Sequence, residues 1–323
     1  MDELLADPAV AAGLRRVETR MRRLSGSSTL PGINAGAGHV VAAGGKRLRP
    51  ALTLATSIAL GRPPDRRVIT AAACVELVHA GSLVHDDLMD RASERRGRRT
   101  LNAELGAGKA LVIGDFMVAR AGLAALTSVS RPVAEVLAAT VVELAEGQFL
   151  EASELFDPGR TVDSALRSIT AKTAALFRAG CLVAAICARA PQEERARLAA
   201  YGEKFGLVFQ ILDDLLDLTA TSAQLGKPAG NDLRQGVYSL PLLLADVDVR
   251  DLLGRPDTAE EVLSRLRAGR MAEITLAYCR DLAADAAAAL PALRDPEMAS
   301  LLRALPAAYI DRVARLTLPA TTG

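Results

Sequence analysis

The chain has no tryptophan, and aromatic residues make up only 3% of its 323 positions. A core built on large rings is therefore excluded, and the apolar half of the sequence must pack through Ala, Leu and Val, which favours helix on helix. Histidine is nearly missing: the three present are His39, His79 and His85. Glu76 and His79 form one Glu-x-x-His pair, but the second copy that a di-iron bundle needs cannot be built. The cysteines, Cys74, Cys181, Cys187 and Cys279, include no Cys-x-x-Cys pair, and read as small buried thiols of a reduced, cytoplasmic protein. Neither charge is in real excess. With 39 basic and 38 acidic side chains the formal charge is +1, so no global field draws the chain to nucleic acid or to an anionic membrane.

Other signals are missing too. "MDELLADPAV" lacks the basic flank and apolar core of an export signal. The longest unbroken apolar stretches, such as "CLVAAICA" from Cys181, are shorter than the ~20 residues that span a bilayer, so no transmembrane segment is expected. No nucleophile elbow, dinucleotide fingerprint or phosphate-binding P-loop is found, which disfavours a nucleotide enzyme.

What is present is helical periodicity. Apolar residues recur at spacings of three and four in "VITAAACVELVHAGSLVHDD", "AEVLAATVVELAEGQFLEASELF" and "RARLAAYGEKFGLVFQILDDLLDL", and alternating strand-like runs are nearly absent. Breaks such as "GRPPDR", "RRGRRT", "DPGRT" and "SAQLGKPAGND" divide the chain into about nine or ten helices. None is long enough to be a linker, so residues 1–323 read as one all-α domain. Residues 22–38, rich in Gly and Ser, are expected to be a mobile loop.

Two acidic clusters stand out within this apolar background. Asp86 and Asp90 are four apart and share a helix face, with Asp87 on the flank. Asp213, Asp214 and Asp217 repeat the arrangement in "FQILDDLLDL". Like charges at these spacings destabilise a helix, and the C-terminal end of a helix disfavours carboxylates. The acids need a counter-charge. All-oxygen ligands suit Mg²⁺, which takes one or two carboxylates and completes its shell with water and phosphate oxygens. Basic groups accompany the clusters: Lys46 and Arg49 in "GGKRLRP" ahead of the first, Arg95 and Arg96 in "RRGRR" after it, and Lys227 in "GKPAGND" after the second. Singly each is an ordinary surface charge; jointly they fit a divided anion site beside paired metal ions.

From "GGKRLRP" onward the chain resembles the trans-isoprenyl diphosphate synthases, the polyprenyl synthetase family. The motifs that carry the likeness are "GGKRLRP", "ELVHAGSLVHDDLMD" followed by "RRG", "GDF" (114–116), "AKT" (171–173), and "FQILDDLLD" with "LGKPAGNDLRQG". The resemblance implies a single large helical bundle around a deep central cavity, with both aspartate motifs at its mouth, and a homodimer. It also implies the reaction: an allylic diphosphate ionises, isopentenyl diphosphate attacks the cation through C4, and a proton is lost. Asp86, Asp90 and Asp213 are then Mg²⁺ ligands supported by Asp87, Asp214 and Asp217, with three ions in a loaded site. Arg95, Lys172, Thr173, Gln210 and Lys227 contact the allylic substrate or its leaving group. Lys46, Arg49, His79 and Arg96 grip isopentenyl diphosphate, which has no metal of its own. Two departures appear: Val237 stands where many members have Lys, and Arg91 where an acid is common.

In this family bulky residues four or five positions before the first aspartate stop the growing chain. Here those positions are Ser82 and Gly81. Both are small, which implies a product of about C30 to C50, with geranylgeranyl diphosphate as the shorter alternative, while close helix packing is a rival reason for Gly81. A class I terpene cyclase would lack the second aspartate motif, and a silent subunit of a two-component synthase would usually lose both.

Overall fold

A computed structural model describes residues 1–219, 230–249, 252–253 and 255–317. The described residues form an all-α bundle with ten helices of twelve residues or more. Its N-terminal half comprises α1 (Asp2–Ala6), α2 (Pro8–Ser25), α3 (Pro31–Ala42), α4 (Leu48–Ala59), α5 (Arg66–Met89), α6 (Leu101–Leu105), α7 (Ala107–Ser128) and α8 (Arg131–Ser153). Next come α9 (Val162–Ile169), a π turn (Thr170–Ala174), α10 (Ala175–Cys187) and α11 (Gln192–Thr219). The C-terminal part holds α12 (Asn231–Arg234), α13 (Leu240–Leu244), α14 (Ala259–Ala268), α15 (Met271–Ala289) and α16 (Pro296–Thr317).

α5 lies at the centre, against α2, α4, α7 and α10, while α10 pairs with α11, which in turn packs on α15 and α16. Its start is set by Asp65, whose carboxylate accepts from the Arg67 and Val68 amides, satisfying two of the donors a helix start leaves open. From Val68 to Val78 every residue is buried, so about three turns of this helix are core on all sides. The one β-ladder among the described residues is the two-residue hairpin Glu94–Arg95 with Arg98–Arg99. Arg96 and Gly97, at φ 54° and 70°, give it the turn with two left-handed residues that matches strand twist.

Two expectations are corrected. Residues 22–38 are not a loop but the end of α2, a five-residue turn and the first part of α3. Pro31 pre-sets the helical φ of the first turn, and Asn34 ties the turn down, accepting from the Ser28 amide at 2.9 Å and donating to its carbonyl at 3.0 Å. Gly36 serves packing, since a Cβ there would collide with Ile113 of α7. The second correction concerns hydropathy. Three stretches, Arg66–Met89, Ala107–Ser128 and Val162–Cys187, are long and apolar enough to cross a membrane by length and composition; scattered Gly, Ser, Thr and single charges had hidden them from a search for unbroken runs. The first and third are mostly buried inside this bundle, the second much less so.

Candidate active site

The Gly-rich turn before α4 is shaped by a buried cation. Arg47 adopts the left-handed conformation (φ 49°) and turns inward. Its Nε donates to Glu18 Oε1 at 2.5 Å, one Nη to Glu76 Oε1 at 3.0 Å and the other to the Val41 carbonyl at 2.9 Å. Burial opposes its charge, but Glu76 and Glu18 outweigh this and hold Arg47 above the ordinary arginine range. With Arg47 pinned, Lys46 is exposed and Arg49 stands on the first turn of α4.

Arg49 lies 4.6 Å from the Phe177 ring centroid, and its Nη1 is 3.2 Å from His79 Nε2. A guanidinium can only donate, so that nitrogen accepts and His79 is the neutral tautomer protonated at Nδ1. Burial, reinforced by Arg49 and Arg96, pushes His79 well below its usual range. Arg96 donates to the Gly44 carbonyl, and Gly45 at φ 142° admits it, because a Cβ would sit 2.5 Å from Arg96 Nη1. The resulting open cleft is lined by His39, Arg47, His79, Asp87, Arg95 and Arg96 among others. It offers several fixed donors and a neutral ring to an anion.

The first aspartate cluster ends α5. Asp87 is buried and accepts from Arg95 Nε at 2.7 Å, whereas Asp86 is half-buried and Asp90 exposed. Burial raises the carboxyls of Asp86 and Asp90; Glu151 adds to both and Asp90 adds to Asp86, while Lys172 and Arg95 oppose. His85, beside them, has Nε2 3.3 Å from Asp115 Oδ1, and Gly114 leaves room for its ring, which accounts for the "GDF" motif.

The second cluster lies on α11. Asp213 is exposed, Asp214 and Asp217 buried. Thr173 Oγ1 donates to Gln210 Oε1 at 2.8 Å, and Gln210 Nε2 donates to Asp214 Oδ1 at 2.7 Å, so the π turn and α11 are joined through one oriented amide. Burial, then Asp232, drives the Asp214 carboxyl well above its normal range. Asp217 takes the returning chain, its carboxylate accepting from the Asp232 amide at 3.2 Å and its carbonyl from the Gly230 amide at 2.7 Å. Val237 is half-buried beyond α12 and Arg91 exposed just after α5; Lys227 lies outside the described residues.

Between the clusters stands Lys172, on the π turn, with its ammonium 2.6 Å from Glu151 Oε1. Glu151 raises Asp86 and Asp90 on one side and Asp214 on the other, which marks the two clusters as neighbours of one space. Among the described residues no three acids, cysteines or histidines form a ready-made metal cage. The donors fit a hard cation that brings its own oxygen ligands: every one is a carboxylate, and those of Asp86 and Asp90 are held at an electrostatic cost that a divalent ion would relieve.

The sequence had not singled out Arg47, Glu76 as its counter-ion, Gly147 or Glu151. Gly81 is placed against α7, where a Cβ would fall 2.8 Å from Val118 Cγ2 and 3.1 Å from the Gly114 carbonyl oxygen; helix packing, the rival reason, accounts for it. Ser82 is half-buried and donates to the His79 carbonyl at 2.9 Å.

The polyprenyl synthetase family profile matches residues 31–263. The chain belongs to the polyprenyl synthetase family. The octaprenyl diphosphate synthase of Escherichia coli is 37% identical over 231 residues, 72% of this chain and 70% of that one. A decaprenyl diphosphate synthase from Rhodobacter capsulatus superposes with a TM-score of 0.88 at 31% identity, covering 97% of this polyprenyl synthetase and 99% of the other. A polyprenyl synthase from Caulobacter crescentus, described as complexed with calcium and isoprenyl diphosphate, gives 0.85 at 32% identity, covering 98% of each chain.

Proposed function

We propose that this polyprenyl synthetase joins an allylic diphosphate to isopentenyl diphosphate repeatedly, making an all-trans polyprenyl diphosphate of about C30 to C50. The observation that carries the reading is Lys172 with Glu151 set between two aspartate clusters, beside a cleft of cationic donors that reaches Asp87 and Arg95. Lys46, Arg49 and Arg96 hold the isopentenyl diphosphate, and neutral His79 adds a directed donor from Nδ1. Lys172, Thr173, Gln210, Arg95 and Lys227 orient the allylic partner. Its C1–oxygen bond breaks with the electron pair leaving on diphosphate, C4 of isopentenyl diphosphate bonds to C1, and a C2 proton is lost. Magnesium, held by Asp86, Asp90 and Asp213, supplies neutralisation of the charge that builds on the leaving group. Asp87, Asp214 and Asp217 keep those carboxylates and their loops in place. The calcium and isoprenyl diphosphate of the Caulobacter enzyme support a divalent ion and this substrate class.

A homodimer is part of the proposal. Leu111, Val112, Leu123 and Leu126 on α7 and Val142 and Phe149 on α8 are exposed, an apolar surface of the kind a second copy covers. The four free, buried cysteines support a reducing, cytoplasmic setting. Purified protein given labelled isopentenyl diphosphate, Mg²⁺ and C5, C10, C15 or C20 primers should yield linear products longer than C25. A cyclic hydrocarbon, or no incorporation with any primer, refutes the reading.

A further inference from the structure

Lys172 is held at both ends by one helix. Its ammonium meets Glu151 Oε1 at 2.6 Å, in a pair whose side chains are 31% and 17% exposed. Its backbone rests on Gly147, one helical turn earlier on α8, where a Cβ would fall 2.7 Å from the Lys172 amide nitrogen and 2.7 Å from Ala171 Cβ. Residues four apart share a helix face, so Gly147 and Glu151 make a seat and a latch for the same lysine. The π turn sharpens the requirement. An extra residue in the helical ladder rotates Lys172 out of register with α9, and the Ser168 hydroxyl bonds the Gly147 carbonyl at 3.4 Å, fixing that offset to α8.

Besides Glu151, the anions that act on this ammonium are Asp86 and Asp90, both of which it stabilises in turn. Without Glu151, Lys172 would lie on the carboxylates meant for the cation. We propose that Glu151 is a positioning residue: it parks Lys172 clear of Asp86 and Asp90 and releases it to the departing allylic diphosphate, which offers the lysine more negative charge than one carboxylate does. This rests on the prenyl-transfer reading above. It assigns Glu151 no contact with substrate, and its effect passes entirely through Lys172.

The test is a double-mutant cycle in the full-length protein, with Glu151→Gln, Lys172→Gln and the pair. For each, kcat, KM for a C15 allylic diphosphate, half-saturating Mg²⁺ and the unfolding temperature are measured. Glu151→Gln should lower kcat/KM for the allylic substrate about tenfold, and leave KM for isopentenyl diphosphate within about twofold. In the Lys172→Gln background it should have no further effect, and Glu151→Asp should recover part of the loss. Effects that multiply across the two sites overturn the proposal, as does a large rise in half-saturating Mg²⁺ in both backgrounds, which would make Glu151 a metal ligand. A lowered unfolding temperature with unchanged kinetics also overturns it, leaving Glu151 a structural ion-pair partner. Wild-type protein that makes no product overturns the prenyl-transfer reading itself, whereas active wild type with multiplying effects overturns this inference alone.

Discussion

Replacing Ser82 by Phe, and separately Gly81 by Ala, distinguishes a floor beneath the growing chain from a contact between helices. Ser82 lies four residues before Asp86, about 6 Å down the α5 axis on the same face. Gly81 is turned away by about 100°, onto Val118 and the Gly114 carbonyl of α7. A ring at Ser82 therefore enters the space under the carboxylates, one helical turn down, and the main product should shorten. Loss of the hydroxyl's bond to the His79 carbonyl costs about 1 kcal/mol, a fall of a few degrees in unfolding temperature. For Gly81→Ala the helix gains about 1 kcal/mol from the added methyl. Overpacking against Val118 and a backbone oxygen costs about 1 to 3 kcal/mol. The net is a loss of roughly 0 to 2 kcal/mol with no change of product. Labelled products from a C15 primer, dephosphorylated and separated by reversed-phase chromatography, report the lengths, and thermal unfolding reports the packing. An unchanged ladder from an active Ser82→Phe enzyme, or a ladder shortened by Gly81→Ala, refutes the assignment of faces.

Asp214→Asn separates stability from function. Because burial raises this carboxyl in the folded state, the folded protein holds its proton more tightly than the unfolded chain, and the stability it contributes is lost as pH climbs through the raised value. The variant should thus gain in unfolding temperature relative to wild type as pH rises above the ordinary carboxylate range, while losing activity; a difference that stays constant as pH rises contradicts the sign. Gly147→Ala should push the π turn away from α8 and reduce kcat by about a hundredfold, the effect of a misplacement near 1 Å, measured at saturating substrates. Arg47→Met leaves Glu76 buried without its hydrogen-bonded cation and should cost about 3 to 5 kcal/mol, with part recovered by adding Glu76→Gln, read from denaturant midpoints. Chelation of divalent ions should abolish product formation, and Mg²⁺ restore it.

The parts of this enzyme that sequence exposes are those whose pattern has a single physical cause. Apolar residues at helical spacing mark α5, α8 and α11, and carboxylates recurring three and four apart inside such helices ask for a cation whatever the fold. Other features share their pattern with something ordinary. Gly32, Gly36 and Gly38 read as a flexible segment, although Gly36 is there so that α3 can touch α7. Glu151 is one of several acids on α8, Glu135, Glu143 and Glu146 among them, and looks like part of a solvated face until the π turn brings Lys172 to it. Nothing in hydropathy reports a π turn. In "GGKRLRP" the adjacent Lys46 and Arg47 look equivalent, and only the left-handed backbone at Arg47 sends one to solvent and the other to the interior.

That inward arginine ties the turn before α4 to a part of the chain remote from it in sequence. Glu18 sits on α2, ahead of the segment 31–263 that defines family membership, and supplies one wall of the clamp on Arg47. A fragment trimmed to those boundaries would keep the Glu76 and Val41 partners of Arg47 but lose Glu18, the shortest of the three contacts. Glu18 on α2 is therefore a working part of the turn that carries Lys46 and Arg49.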